Sequence, residues 1–403
     1  MRNLTVLVLL FIATAFLSET AAQESSRRVE AKLLSGGAQI SLLTCSPSDS
    51  DIYTLFGHTA LRVKDDSIGV DVAFNYGLFD FGASQARFVY RFVKGETYYK
   101  VDGISTKYFL FDYQYNERGI REQVLNLTEN EKQSVWAALI DNIQPENQVY
   151  LYNFLYNNCS TKARDVIFDN IGRKVQYEES AEVLTYRDLL RECTNVDPWG
   201  RFGIDIIIGN DADKPITSWQ KDFIPAYLEK SFRSATFEDG TPLVIHENDL
   251  LETQLDLTPK GAIDAPFLVG CFVLMITLVI TLLNIKGRWQ IGGRIFDTLL
   301  FSVAGIGGCI IFFLMYLSIH PSMTPNWNLV WLNPLQLVVV FLFFVKPAQK
   351  WICYYHFINF VLLLLFLLAW CLIPQQLSIA FVPYIITLCV RSGANVITRK
   401  VKK

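Results

Sequence analysis

From Ala265 onward the chain is nearly all apolar, and the way this run is interrupted constrains the molecule more than anything upstream. Five apolar stretches follow one another: Ala265–Ile285, Phe296–Ile319, Leu329–Val345, Phe357–Ile373 and Leu377–Val390. The first is free of charge for 21 residues, enough at ~1.5 Å per helical residue to cross a hydrocarbon core of ~30 Å. The connecting segments alternate. Lys286 to Arg294 and Lys346 to Lys350 are basic, as is the tail with Arg391, Arg399, Lys400, Lys402 and Lys403, whereas His320 to Asn328 and Pro374 to Gln376 carry neither Lys nor Arg. Basic connections stay cytoplasmic. The pattern predicts an all-α bundle of five transmembrane helices over 261–403, with residue 260 outside and the C-terminus in the cytoplasm.

The other end of the chain agrees. Arg2, the apolar core Leu4 to Phe16 and the small residues Thr20-Ala21-Ala22 read as a signal peptide over residues 1–22. Residues 23–260 are then an exported domain, with the mixed charge and short alternating segments of an α+β fold. The net charge is −3, and no basic stripe of the kind nucleic acid demands is present. Neither GxGxxG nor a Walker A motif occurs, and no CxxC or HxxxH spacing supports a zinc site. The reading expects no cofactor and no metal.

Within the exported domain the chemistry converges on Cys159. It sits in Tyr156-Asn157-Asn158-Cys159-Ser160-Thr161, just before a predicted helix to Ile171. Unpaired N–H groups and the dipole at a helix start favour the thiolate. The bland alternative is a small packing residue, disulfide-bonded or not, though its polar flanks fit a deep core poorly. The domain's three cysteines, Cys45, Cys159 and Cys193, are odd in number, so at least one thiol is free; Cys45–Cys193 is the candidate pair.

A thiolate needs a base, and this domain offers only His58 and His246. His58 opens a predicted strand, His58–Lys64, that pairs as a hairpin with Val70–Tyr76. If Val63 pairs with Val70, paired numbers sum to about 133, placing Arg62 opposite Asp71 and His58 opposite Asn75. Asn75 would then hold the imidazole, with Asp71 and Asp80 as alternatives, and Asn75 itself could be a turn residue. Elsewhere Thr128-Glu-Asn-Glu131 reads as a capping box, and helices are expected at Thr185–Cys193 and Trp219–Phe232. Trp327, Asn328, Trp331, Asn333 and Gln336 read either as an interfacial belt or as a head-group site. His320 and His356 are expected at the interface, and Asp297 as a snorkelling or capping residue.

Leu42-Leu-Thr-Cys45-Ser-Pro47, Phe56-Gly-His-Thr-Ala-Leu-Arg-Val63, Asn75-Tyr-Gly-Leu-Phe-Asp-Phe81 and Asn158-Cys-Ser-Thr161 resemble the Lnb family of lipoprotein N-acyltransferases. The order His58, Asn75, Cys159 is also similar to that of circularly permuted papain-like, NlpC/P60-like enzymes, including lecithin:retinol acyltransferases, although some of those carry a second histidine where Asn75 stands. The resemblance implies a permuted NlpC/P60-like fold, with Cys159 as nucleophile, His58 as base and Asn75 as orienting residue. It further implies a membrane phospholipid as acyl donor, a diacylated lipoprotein as acceptor and a location in the bacterial inner membrane, with the catalytic domain in the periplasm. A membrane-tethered Cys/His hydrolase, peptidase or lipase, is the competing reading; a non-catalytic binding or transport protein is a third.

Overall fold

A computed structural model describes residues 32–79, 85–179, 181–255, 257, 264–343 and 345–400. The expected signal peptide and Asp80 lie outside these residues. The N-terminal part is built on a seven-stranded sheet. Its strands are β1 (Gln39–Cys45), β2 (His58–Asp65), β3 (Val70–Leu78), β4 (Tyr98–Ser105), β5 (Ile120–Leu125), β6 (Val149–Leu151) and the late strand Val244–Leu251. They lie in the order Val244–Leu251, β5, β1, β2, β3, β4, β6, each pair antiparallel. Strand β1 is buried over Ile40 to Cys45, as a central strand covered on both faces must be.

The β2–β3 register differs from the expectation by two. Val63 pairs with Val72 and Asp65 with Val70, so paired numbers sum to 135. The cause is Asp65. Its carboxylate accepts from Ser35 N (2.6 Å), Ser35 Oγ (2.9 Å) and Ser67 N (3.0 Å), which keeps it in the strand and leaves the turn to Asp66-Ser67-Ile68-Gly69. Because the side-chain period of a strand is two, this slip leaves every residue on its predicted face. Arg62 still meets Asp71, now diagonally, with Nε and a terminal nitrogen each donating at 2.7 Å.

One face of the sheet is covered by the helices Glu129–Asn142 and Cys159–Asn170, with Val135, Leu139, Ala163 and Ile167 packed on Ile40, Leu42, Leu61 and Phe74. Thr128 and Glu131 form the expected capping box. The opposite face carries the helix Thr106–Tyr115, whose Phe109 and Tyr113 fill the space left by Ala60 and Ala73. The helix expected over Trp219–Phe232 is two pieces, Ser218–Lys221 and Pro225–Ser234. Pro225 stands in the first turn of the second piece, where its missing N–H costs nothing.

Among the described residues, the C-terminal part has four helices long and apolar enough to span a membrane: Ala265–Ile285, Gln290–Tyr316, Gln349–Leu368 and Ile379–Thr398. The third expected span is different. Trp327–Val330 is a 3-10 turn and only Leu335–Leu342 is α-helical, about 12 Å of helix at ~1.5 Å per residue. Pro334 ends one conformation and starts the next. This short helix packs so closely on the second span that a Cβ at Gly308 would lie 2.5 Å from the Asn333 carbonyl carbon, and one at Gly305 2.7 Å from Leu337 N. Two polar residues also depart from expectation. Asp297 neither snorkels nor caps: it is buried and paired with Arg391 through bonds of 2.6 and 2.9 Å. His356 is not interfacial but fully buried, its ring beside Phe301 and Phe343.

The two parts meet through the turns at one end of the bundle. The helix Pro198–Ile207 presents its C-terminal carbonyls, which have no partners within the helix. Asn328 Nδ2 donates to Asp205 O and Ile206 O, Asn326 Nδ2 to Ile206 O and Ile207 O, and Gln375 Nε2 to Ile208 O. Asn328, read as belt or head-group residue, is thus a helix cap across the domain junction. Ser322 O and Pro325 O accept from Gly209 N and Asn210 N, and Asp264, at the start of the first span, faces Arg201 at 3.6 Å.

Candidate active site

The loop before Cys159 is held by its asparagines. Asn158 is the N-cap: its Oδ1 accepts from Ser160 N (2.9 Å) and Thr161 N (3.0 Å), while Thr161 Oγ1 accepts from Asn158 N (2.8 Å). The Asn158 amide also donates to Phe154 O and Phe223 O at 2.9 and 2.7 Å. Asn157 Nδ2 donates to Leu151 O. Cys159 is therefore the first residue of its helix. With Ser160 and Thr161 N–H taken by Asn158 and Lys162 N–H by the Asn158 carbonyl, the Cys159 N–H is the one amide of the first turn that has no acceptor among the described residues.

The helix is fixed to the strand carrying the histidine. Thr59 Oγ1 and Ser160 Oγ are 2.8 Å apart, both buried. Each neighbours one of the reacting groups, so this hydroxyl pair sets the spacing of sulfur and imidazole. His58 Nε2 lies 2.7 Å from Asn75 Oδ1, the contact read from the sequence, reached diagonally in the shifted register. An amide oxygen only accepts, so Nε2 carries the proton and Nδ1 is left for Cys159, which lies close enough for the charge of each group to shift the other.

The electrostatics follow from this contact. Burial alone raises a thiol, but the positive imidazole, its hydrogen bond, Thr59 N–H and Ser160 outweigh burial and lower the Cys159 thiol below its usual range. Burial would depress His58, but the Cys159 charge and the bonds to Cys159 and Asn75 raise it. Both shifts run toward the thiolate–imidazolium form of the pair. Asp71, an alternative orienter, is committed to Arg62 instead. His246 is exposed on the edge strand Val244–Leu251.

Cys45 and Cys193 are free thiols and not a disulfide. Burial pushes each up to about 12. Both line a cavity of about 650 Å³ with Phe56, Gly57 and Pro225. Two tyrosines beside the nucleophile had no signal in the sequence. Tyr150 and Tyr152 are held far above the usual phenol range by burial and by the nearby Cys159 charge, so both hydroxyls stay neutral. The clamp role of Asn158 was legible in principle, since Asn before a helix start is a preferred N-cap.

Substituting Asn75 with alanine is expected to lower turnover by up to about 10²-fold, the cost of a misplaced catalytic group, with the domain still folded. Asn75→Asp, which keeps an acceptor for Nε2, should lose less. Equal activity of Asn75→Ala and the parent enzyme in a steady-state assay would remove the orienting role.

An α/β domain that gathers Cys159, His58 and Asn75 at a helix start is joined to apolar helices long enough to span a membrane. Family comparison narrows the class: residues 29–192 match the Lnb N-terminal periplasmic domain and residues 259–403 the Lnb transmembrane domain. The chain belongs to the Lnb family, a membrane protein with a periplasmic N-terminal domain, and this membership points to an enzyme of lipoprotein processing. No curated protein and no solved structure matches it.

Proposed function

We propose that this protein is a lipoprotein N-acyltransferase working through an acyl-thioester on Cys159. The observation that carries the reading is the Cys159–His58–Asn75 chain set at the membrane junction: Tyr156, three residues before the nucleophile, reaches Ser322 in the turn after the second span (3.5 Å). A thiol enzyme placed there meets lipid esters more readily than soluble peptides. The order strand-His, strand-Asn, helix-Cys supports a permuted NlpC/P60-like arrangement.

In the first half-reaction the Cys159 thiolate attacks an ester carbonyl of a membrane phospholipid. The carbonyl oxygen takes the negative charge and is met by the Cys159 N–H. The C–O bond breaks, His58 gives its proton to the departing lysophospholipid alkoxide, and the acyl group stays on sulfur. In the second, the α-amine of a diacylglyceryl-cysteine attacks the thioester. His58, now neutral, takes the amine proton, the C–S bond breaks and the thiolate is restored. A phospholipid donor and a diacylated lipoprotein acceptor suit a domain docked on the bundle's outer turns. The same docking supports an inner-membrane location. With the chain from Trp327 to Gln349 passing to the far end, it also supports five passes and a cytoplasmic C-terminus.

The test is mass spectrometry on the full-length protein in phospholipid vesicles. An acyl adduct on Cys159 is expected, which clears when a diacylated lipopeptide is added and reappears as N-acyl lipopeptide. Clearance by water alone, without N-acylation, would establish the hydrolase instead. Acylation should follow a bell-shaped pH profile. It falls as pH drops through the lowered Cys159 pKa, where the thiolate is protonated, and falls again as pH rises through the raised His58 pKa, where the proton for the leaving group is lost. A flat profile across both limbs contradicts the ion pair.

A further inference from the structure

The helix Gln85–Lys94 and the rings behind it have no part in the scheme so far. The helix is bound to the end of the second membrane span: Lys94 O accepts from Ile319 N (2.9 Å), and Phe92 O lies 2.6 Å from His320 Nε2. Its neighbour Gly95 packs so tightly there that a Cβ would fall 2.9 Å from Ile319 Cγ1. A helix fastened to the residues that directly follow a membrane span lies at the level of the membrane surface. Its sequence, Gln-Ala-Arg-Phe-Val-Tyr-Arg-Phe-Val-Lys, has no acidic residue. Val89, Tyr90 and Phe92 are about half exposed. Large apolar side chains with Arg and Lys and no acid are the composition of a helix that rests in the headgroup region.

Behind this helix the rings continue inward without a break. Phe92 and Phe88 are 6.4 Å apart between centroids, Phe88 and Phe79 6.0 Å, Phe79 and Tyr99 5.2 Å, and Tyr99 and Tyr152 4.5 Å. The last ring reaches the nucleophile. A single point, the position a Cβ would take on Gly77, is 3.6 Å from Tyr152 Cε2 and 4.0 Å from Cys159 Cβ. Each spacing is that of an aromatic pair in contact. We infer that this line of rings, from Phe92 at the membrane edge to Tyr152 beside Cys159, is the track that receives the phospholipid acyl chain and carries its ester to the thiol. The occupant is a fatty acyl chain because the line joins the bilayer to the nucleophile and is built of aromatic side chains, Phe92, Phe88, Phe79, Tyr99 and Tyr152, from end to end. A chain lying on it stays out of water while its carbonyl is at the sulfur.

This inference rests on the Cys159 reading, and the experiment separates the two. Full-length protein in vesicles of dipalmitoyl phospholipid is assayed for palmitoyl-Cys159 by intact mass, and in parallel for acetyl-Cys159 from water-soluble 4-nitrophenyl acetate, which needs no track. Phe88→Ser and Phe79→Ser are expected to slow palmitoylation about tenfold or more and to leave acetylation within about twofold, whereas Phe88→Leu, which keeps an apolar side chain at position 88, should retain palmitoylation. Unchanged palmitoylation in both serine variants overturns the track. So does equal loss of both acylations that Phe88→Leu fails to restore, since the rings would then only support the fold. If the parent protein acquires neither group on Cys159, the nucleophile assignment falls and the track with it.

Discussion

Replacing Cys159 with alanine is expected to abolish acyl transfer while leaving the domain folded. The substitution removes one sulfur from a residue already at the edge of the core (9% exposed). The N-cap bonds of Asn158 involve only backbone and Thr161, so the helix start survives. What is lost is the atom that carries the acyl group, and nucleophile deletions of this kind cost on the order of 10⁴–10⁶ in turnover. His58→Ala should fall nearly as far, because without the imidazole the buried thiol is no longer held below its ordinary range. The double variant should be no worse than Cys159→Ala, as residues acting as one unit are not additive. Single-turnover acylation in vesicles, with circular dichroism to check folding, measures this. A Cys159→Ala protein that still N-acylates lipopeptide at a tenth of the parent rate would end the nucleophile assignment.

The His58–Asn75 contact was more legible than the strand register around it, for a physical reason. The His58–Asn75 contact survived a register error because strand faces repeat every two residues, and the actual slip was two. A slip of one would have separated the pair. The turn that caused the slip was hidden because Asp65 is held by Ser35, some thirty residues upstream, a contact no local pattern reports. The helix Thr106–Tyr115 was missed for a related reason. Thr-Lys-Tyr-Phe-Leu-Phe-Asp-Tyr-Gln-Tyr is rich in residues that favour strands, and only the packing of Phe109 and Tyr113 against Ala60 and Ala73 makes it helical. Hydropathy pointed to four helices long and apolar enough to span among the described residues, and the fifth stretch took another form. Leu329–Val345 is apolar enough, yet the pull of the Ile206 and Asp205 carbonyls on Asn328 and the presence of Pro334 leave it largely outside regular helix.

The junction between the two parts depends on one buried arginine, and its removal is the largest stability effect expected outside the hydrophobic core. Arg187 is fully buried. Its guanidinium binds Asp213 Oδ1 at 2.5 Å, Asp205 Oδ1 at 3.0 Å, Ile208 O at 3.1 Å and Gly209 O at 2.9 Å. Both carboxylates are shared with the junction. Asp205 also pairs with Arg191, which donates to Gln376 O at 2.8 Å, and Asp213 Oδ2 accepts from Gln376 N at 3.2 Å. Arg187→Met keeps the volume but leaves two buried carboxylates and two carbonyls each short of one donor, a loss of about 3–5 kcal/mol. Arg187→Lys should recover little, because an ammonium cannot present the planar fork that these four acceptors require. Asp213→Asn in the Arg187→Met background should recover part, by removing one stranded charge while Arg191 still serves Asp205. Because the chain has two parts, a single melting temperature mixes them; hydrogen exchange over residues 205–213 in the full-length protein reads the junction directly. Protection there should fall by about 10²-fold or more, with the amides of Glu129–Asn142 unchanged. Since the 317–334 segment is anchored to the adjoining backbone of residues 205–210 and passes Tyr156 at Ser322, loosening it should also slow acylation of Cys159 from vesicles more than acetylation by a soluble ester. Unaltered protection in Arg187→Met would mean that the apolar contacts of Phe202 and Ile206 with the bundle, and not this charge cluster, hold the catalytic domain on the membrane.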